Sequence, residues 1–229
     1  MTAAIRGISS MATRQVLGEL SRAWTERSGV PVEIESVGGV DAARRVAAGE
    51  PFDAVLLAAD AIDKLVAGGH ALAGSRVDLV RSGVAVAVKR GAPQPDLGSE
   101  EAVREAVLAA PTIGYSTGPS GTALLKLFER WGIADTVRPR TVQAPAGVPV
   151  GSLVARGEVA LGFQQLSELM HLDGVDVVGP LPAPIHITTV FSGAVCTASG
   201  QPGAVREWLA FMASPETAGI KRACGMDAA

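Results

Sequence analysis

Residues 76–89 read RVDLVRSGVAVAVK, and residues 185–197 read IHITTVFSGAVCT. Both are apolar, β-like runs with a Ser-Gly pair inside, Ser82-Gly83 in one and Ser192-Gly193 in the other. Each is too long for an average strand of roughly 5–6 residues. A strand that leaves one lobe and enters another explains the length better. Two such crossings give a discontinuous lobe I, residues 1–82 plus 186–229, and a continuous lobe II, residues 83–185. A ligand cleft is expected between them.

Working outward, both lobes fill with α/β alternation. In the first, Ile5–Ile8, Val30–Val37 and Phe52–Ala58 read as strands. Helices are expected after them at Met11–Arg27, Asp41–Ala48 and Ala61–Ala67, the first with Val16, Leu17, Leu20 and Trp24 at helical spacing. In the second, Thr112–Tyr115, Thr136–Gln143, Val159–Gln164 and Val175–Val178 read as strands. Helices are expected there at Ser99–Ala109, Thr122–Trp131, Val150–Ala155 and Gln165–Leu172, with Ser99 as an N-cap. The fold class is α/β, each lobe a mixed sheet flanked by helices.

Composition narrows the function. The 229 residues are 48% hydrophobic and 19% charged, an ordinary globular mixture. A formal net charge of −3 without any Lys/Arg run argues against a nucleic-acid partner. Aromatic residues, at 4%, are too scarce for a site that stacks sugars. No apolar run reaches the roughly 18 residues that span a bilayer, so no membrane insertion is expected. Cys196 and Cys224 lack metal-ligand spacing, and His70, His171 and His186 are scattered. Neither a metal nor a cofactor is expected. The opening MTAAIRGISSMATRQVL has no apolar core of a secretion signal. The expected location is therefore cytoplasmic, or periplasmic if a signal peptide was removed.

In open α/β sheets ligands sit at the carboxyl ends of strands, beside helix N-termini. Four loops there offer donors for a small anion without formal positive charge. Ser9 and Ser10 stand where strand becomes helix, and could equally be plain caps. Gly38 and Gly39 let backbone approach a ligand, or form a tight turn with Asp41 as cap. Ser116, Thr117 and Ser120 lie in YSTGPSGT, a hydroxyl-rich strand-to-helix loop that is not a P-loop. Gly147 and Val148 occupy a fourth such loop. Gln164 and Gln165 end a buried strand with amides that need partners. No catalytic motif stands out, and the catalytic residues stay unassigned, with His186, Asp41 and Asp60 as candidate bases.

The stretches SSMATRQVLGEL (9–20), VGGVDAARRVAAGEPFDAVLLA (37–58), YSTGPSGTALLKLFERWGI (115–133) and SLVARGEVALGFQQLSEL (152–169) resemble the molybdate-binding protein family of ABC transporters. The resemblance implies a type II periplasmic binding protein fold, a monomer, and an ABC transporter permease as partner. It also implies a solute-binding protein for a small anion, an oxyanion such as molybdate or an organic acid. It places Ser9, Ser10, Gly38, Gly39, Ser120, Gly147, Val148 and Gln165 at ligand positions. Gly38-Gly39-Val40 stand where the family carries a serine-rich loop, and Gln165 where it carries a tyrosine. The aconitate isomerase-like relatives of the family imply the alternative, an isomerase of a small tricarboxylate working by proton transfer.

Overall fold

The computed structural model describes residues 3–229. Met1 and Thr2, which open the expected lobe I, lie outside the described residues. The chain begins β1 (Ile5–Ser10), α1 (Arg14–Ser28), β2 (Val32–Val37), α2 (Gly39–Ala47), β3 (Ala54–Ala58), α3 (Ala59–Ala67) and β4 (Val77–Lys89). It continues with α4 (Glu100–Ala109), β5 (Ile113–Tyr115), α5 (Pro119–Arg130), α6 (Ala134–Val137), β6 (Thr141–Gln143), α7 (Val150–Arg156), β7 (Leu161–Gln165), α8 (Leu166–Leu169) and β8 (Val175–Pro180). It closes with β9 (Thr188–Val195), α9 (Pro202–Ala213), α10 (Ala218–Ala223) and β10 (Asp227–Ala228). Two compact units result: the chain up to Ser82 with Val190–Ala229, and Gly83–Thr189.

In the first unit β1 pairs in parallel with β2 and β3, while β9 runs antiparallel to β3. The period-2 geometry of a strand buries both faces of β3. Leu56 packs with Leu17, Leu20, Trp208 and Leu209 of α1 and α9. Val55 and Leu57 pack with Ala42, Ile62 and Leu65 of α2 and α3. Gly193 lets α9 close on the sheet, since a Cβ there would lie 2.4 Å from Leu209 Cδ2.

In the second unit β4 pairs antiparallel with β7 and β8, and β5 pairs in parallel with β6 and β7. Leu161 and Phe163 of β7 face Phe128 of α5 and Val103 of α4. The opposite face is thin: a Cβ on Gly162 would lie 2.6 Å from Val154, and one on Gly114 2.9 Å from Val150. Those two glycines let α7 sit close over the sheet. Ser99 caps α4, its hydroxyl accepting from the Ala102 N–H at 3.1 Å.

Three expected elements change. The strand expected over 136–143 is reduced to β6, because α6 and a 3-10 turn at Arg138–Arg140 precede it. Pro139 has no N–H to give a ladder. The helix expected over 165–172 is the short α8, and Gln165 is the last residue of β7, paired with Val84. The run expected over 185–197 forms a ladder only as β9, with a single bridge beyond it between Cys196 and Ala71, and its start lies in a 3-10 turn over Ala183–Ile185.

Candidate functional site

In the first unit the register sets Ser9 opposite Ser36 and Ser10 opposite Val37 at the carboxyl ends of β1 and β2. Ser9 is enclosed, and its hydroxyl meets that of Ser36 at 2.8 Å. Ser10 precedes the 3-10 turn that leads into α1, and its side chain makes no capping bond. Its hydroxyl lies only a long 3.4 Å from that of Thr13. Gly38 is the N-cap of α2 and Gly39 its first residue. A Cβ on Gly39 would stand 3.7 Å from the Ser10 Cβ, so these residues share one end of the sheet. Asp41 is not the cap; it lies in the first turn of α2 and pairs with Arg44. A groove of about 750 Å³ between α1 and β2 is lined by Arg14, Ser21, Ile34 and Ser36 among others.

In the second unit the parallel register of β5, β6 and β7 brings their carboxyl ends to one edge. Three of the expected segments lie there: Ser116–Ser120 and Gly147-Val148 follow β5 and β6, and Gln165 ends β7. Gly118 is the N-cap of α5 and Pro119 opens it, where a missing N–H matters least. The hydroxyls of Ser116 and Ser120 meet at 3.0 Å across this first turn. Thr117 is exposed. Gly147 sits at φ 79, the left-handed region that glycine adopts without strain, and turns the chain toward α7.

Gln164 and Gln165 point to opposite faces of β7 and have different partners. Gln165 donates through Nε2 to Thr189 Oγ1 at 2.8 Å, while its buried Oε1 has no partner among the described residues. An orphan buried acceptor costs about 1–3 kcal/mol. A half-turn of the amide would let Oε1 accept from the Thr189 hydroxyl and free Nε2 to donate elsewhere. Gln164 accepts the Gly151 N–H of the first turn of α7 at Oε1, 3.2 Å away. Its amide nitrogen is then left to donate to the half-buried Glu168 of α8. Burial pushes the Glu168 carboxyl up to about 7, against the pull of the Gln164 bond.

Sequence reasoning missed Ser36, Thr189 and Glu168. Ser36 had a signal, as a serine one residue before the end of a strand that leads into a glycine loop. Glu168 lay in the stretch expected as a helix, 165–172, where a carboxylate carries no such signal. The three bases considered from sequence take other places. Asp60 is exposed in the first turn of α3. His186 is exposed against Gly83, where a Cβ would meet its Nε2 at 2.6 Å. Among the described residues no group of three or more His, Cys, Asp or Glu side chains could hold a metal ion. No helix there is long and apolar enough to cross a membrane.

The family profile described as bacterial extracellular solute-binding protein matches residues 5–227. The chain belongs to this family. Aconitate isomerase of Pseudomonas sp is 39% identical to this solute-binding protein over 217 residues, 92% of this chain and 82% of that one. The periplasmic molybdate-binding protein of Azotobacter vinelandii superposes with a TM-score of 0.80 at 21% identity, over 97% of this chain and 98% of that one. The sulfate-binding protein SubI of Mycobacterium tuberculosis H37Rv gives a TM-score of 0.79 at 16% identity, over 98% and 86%. The solute-binding protein thus has the type II periplasmic binding protein fold.

Proposed function

We propose that this solute-binding protein holds a small organic acid with two or three carboxylates and isomerises it, as its aconitate isomerase relative is named for doing. The observation that carries the reading is the 39% identity to that enzyme over 92% of the chain. Likeness to the molybdate-binding and sulfate-binding structures is at the level of fold, at 21% and 16% identity.

The local chemistry supports a carbon-containing anion. Gly39 leaves more room than a hydroxyl-bearing residue would. The Gln165 amide serves a carboxylate through Nε2 or a carboxylic acid through Oε1. Val40 is 74% exposed beside Gly39, and Val148 is exposed beside Gly147. Apolar side chains at the binding loops suit a hydrocarbon skeleton and give nothing to a bare oxyanion. In the reading, the ligand-binding groups are the Ser9-Ser10 and Gly38-Gly39 loops in the first unit, and the Ser116–Ser120 and Gly147-Val148 loops and Gln165 in the second. Hydroxyls and the free N–H groups of helix first turns supply neutral donors for the carboxylates.

The second reading is a binding protein that delivers a small oxyanion or organic acid to an ABC transporter permease. The molybdate-binding and sulfate-binding neighbours favour it. For either reading we place the chain in the periplasm, in line with the family description, and propose that it acts as a monomer.

Thermal unfolding with millimolar ligand separates the two ligand classes, because a ligand that binds only the folded state raises its stability by mass action. Cis- and trans-aconitate are expected to raise Tm by several degrees, and molybdate and sulfate to leave it unmoved. A shift with the oxyanions and none with the tricarboxylates would overturn the proposal.

A further inference from the structure

We propose that the groove between α1 and β2 is a peptide site, which takes an extended acidic segment of a partner protein as a further strand on β2. The site lies along the side of β2, and it stands whichever ligand the loops at the strand ends hold.

The backbone supplies the ladder. β2 is the outermost strand of its sheet and pairs with β1 alone. Ile5 lies opposite Val32, and its N–H donates to the Pro31 carbonyl at 2.9 Å. That bond fixes the phase of the ladder, because successive residues of a strand turn their polar groups to opposite sides. Glu33 and Glu35 turn theirs toward β1. Val32, Ile34 and Ser36 turn theirs to the open edge, and all three line the groove. An open row of N–H and C=O groups is a template for an added strand, and strand addition is a recurring way to hold an extended peptide. The volume of about 750 Å³ is that of a ligand site rather than a surface dimple.

The facing wall of α1 says what the added strand carries. Arg14, Gly18 and Arg22 recur at a spacing of four on the side of α1 that lines the groove, and all three are exposed. Arg14 makes no ion pair among the described residues. Arg22 pairs with Glu19 on open surface, where such a pair is worth little and is readily exchanged. The two arginines stand about 12 Å apart along the helix axis. In an extended strand, residues i and i+4 share a face at about 13 Å. Two acidic side chains at that spacing therefore reach both arginines, and residue i+2 falls opposite Gly18. A Cβ on Gly18 would meet nothing within 4 Å, so no packing inside the fold requires a glycine there. Glycine is a poor residue for a helix interior. The space it leaves open suits a large apolar side chain, resting on the half-buried Val32 and Ile34.

β2 is not built to pair with a second copy of itself. Antiparallel pairing about Ile34 would set Glu33 of each copy against Glu35 of the other, and like charges directly opposite repel. The arginine wall and the glutamates of β2 thus select a different chain, acidic on the side that faces α1.

The test follows the isotope-labelled full chain by NMR during titration with the blocked peptide acetyl-Thr-Glu-Thr-Leu-Thr-Glu-Thr-amide. Saturable shifts are expected, largest at the N–H groups of Val32, Ile34 and Ser36. The same peptide with Lys for both Glu is expected to bind at least about tenfold more weakly, as is the original peptide to the double variant Arg14→Glu, Arg22→Glu. Gly18→Leu fills the open space and weakens binding at least about tenfold, with Tm no lower than that of wild type. N-methylation of the two inner Thr residues, or instead of the Leu and the second Glu, removes donors from one side of the peptide at a time. One of the two is expected to abolish binding, and which one it is reports whether the added strand runs parallel or antiparallel to β2. No saturable shift at those three N–H groups, undiminished binding to Gly18→Leu, or full binding by both methylated peptides overturns the proposal. Shifts at the same groups that grow with protein concentration in the absence of peptide would put a second copy of this chain in the groove, and overturn it as well.

Discussion

Gly121→Ala is expected to destabilise the unit Gly83–Thr189 by at least about 3 kcal/mol and to abolish its response to ligand. Gly121 lies in the first turn of α5, and a Cβ there would fall 1.9 Å from the Ser116 carbonyl oxygen and 3.1 Å from the Tyr115 ring. The nearer atom is backbone, so no side-chain rotation relieves the overlap. Either the start of α5 or the loop after β5 must move. Those are the two pieces that hold Ser120 and Ser116 with their hydroxyls 3.0 Å apart. The overlap therefore strikes stability and the donor arrangement together. Gly118 is the control. A Cβ there would meet only the Ser116 Oγ, at an ordinary 3.7 Å, and its backbone is extended. Gly118→Ala is expected to stay within about 0.5 kcal/mol of wild type. Urea unfolding of the two variants, with and without trans-aconitate, reads both effects. Equal stability of the pair would show that close approach at Gly121 is not what shapes the loop.

Asp53→Ala is expected to cost about 3 kcal/mol in the first unit, because one carboxylate there gathers three donors. Its Oδ2 accepts the Arg6 N–H and the Gln201 side-chain amide, each at 3.0 Å, and its Oδ1 accepts the Ser199 hydroxyl at 2.7 Å. The same Gln201 amide reaches the Ala4 carbonyl at 2.9 Å. These bonds join the start of β1, the approach to β3 and the segment before α9. Asp53 thus links the two stretches of chain from which this unit is built. Truncation leaves all three donors without their acceptor.

The same network sets an acid dependence. Burial opposes the Asp53 charge, but the bonds from Arg6, Ser199 and Gln201 outweigh it and hold the carboxyl below the usual aspartate range. A carboxyl depressed by folding contributes stability above its unfolded pKa, and loses it as pH falls through the folded one. Wild-type Tm should therefore drop as pH falls below about 4, and Asp53→Ala should lose less over the same interval. Parallel decline of the two proteins would mean that Asp53 is not the acid-labile link.

How far the sequence could be read follows from the range of each signal. The two β-like runs around Ser82-Gly83 and Ser192-Gly193 carried the α/β reading, because β-branched periodicity and length are written locally. The Ser99 cap and the helix of Leu17, Leu20 and Trp24 were legible for the same reason. The expected strand over 136–143 failed where Pro139 removed a ladder donor and the Asp135–Arg138 pair favoured a helical turn. At the candidate site, glycines and hydroxyls marked the loops, since their residue types and strand-to-helix positions are local facts. Their pairings were not legible. Ser9 with Ser36 depends on the register of two strands, and Gln165 with Thr189 on a contact made across the fold. Glu168 looked like one more helix-face carboxylate. Its burial beneath the Gly151–Gln164 bond exists only once α7 lies over Gly114 and Gly162.

The most direct measurement is proton NMR of trans-aconitate incubated with the purified chain in D2O. The expected result is the appearance of cis-aconitate resonances, with loss of methylene and vinylic proton intensity as deuterium enters. A spectrum of trans-aconitate unchanged after prolonged incubation with concentrated protein would contradict the proposed activity.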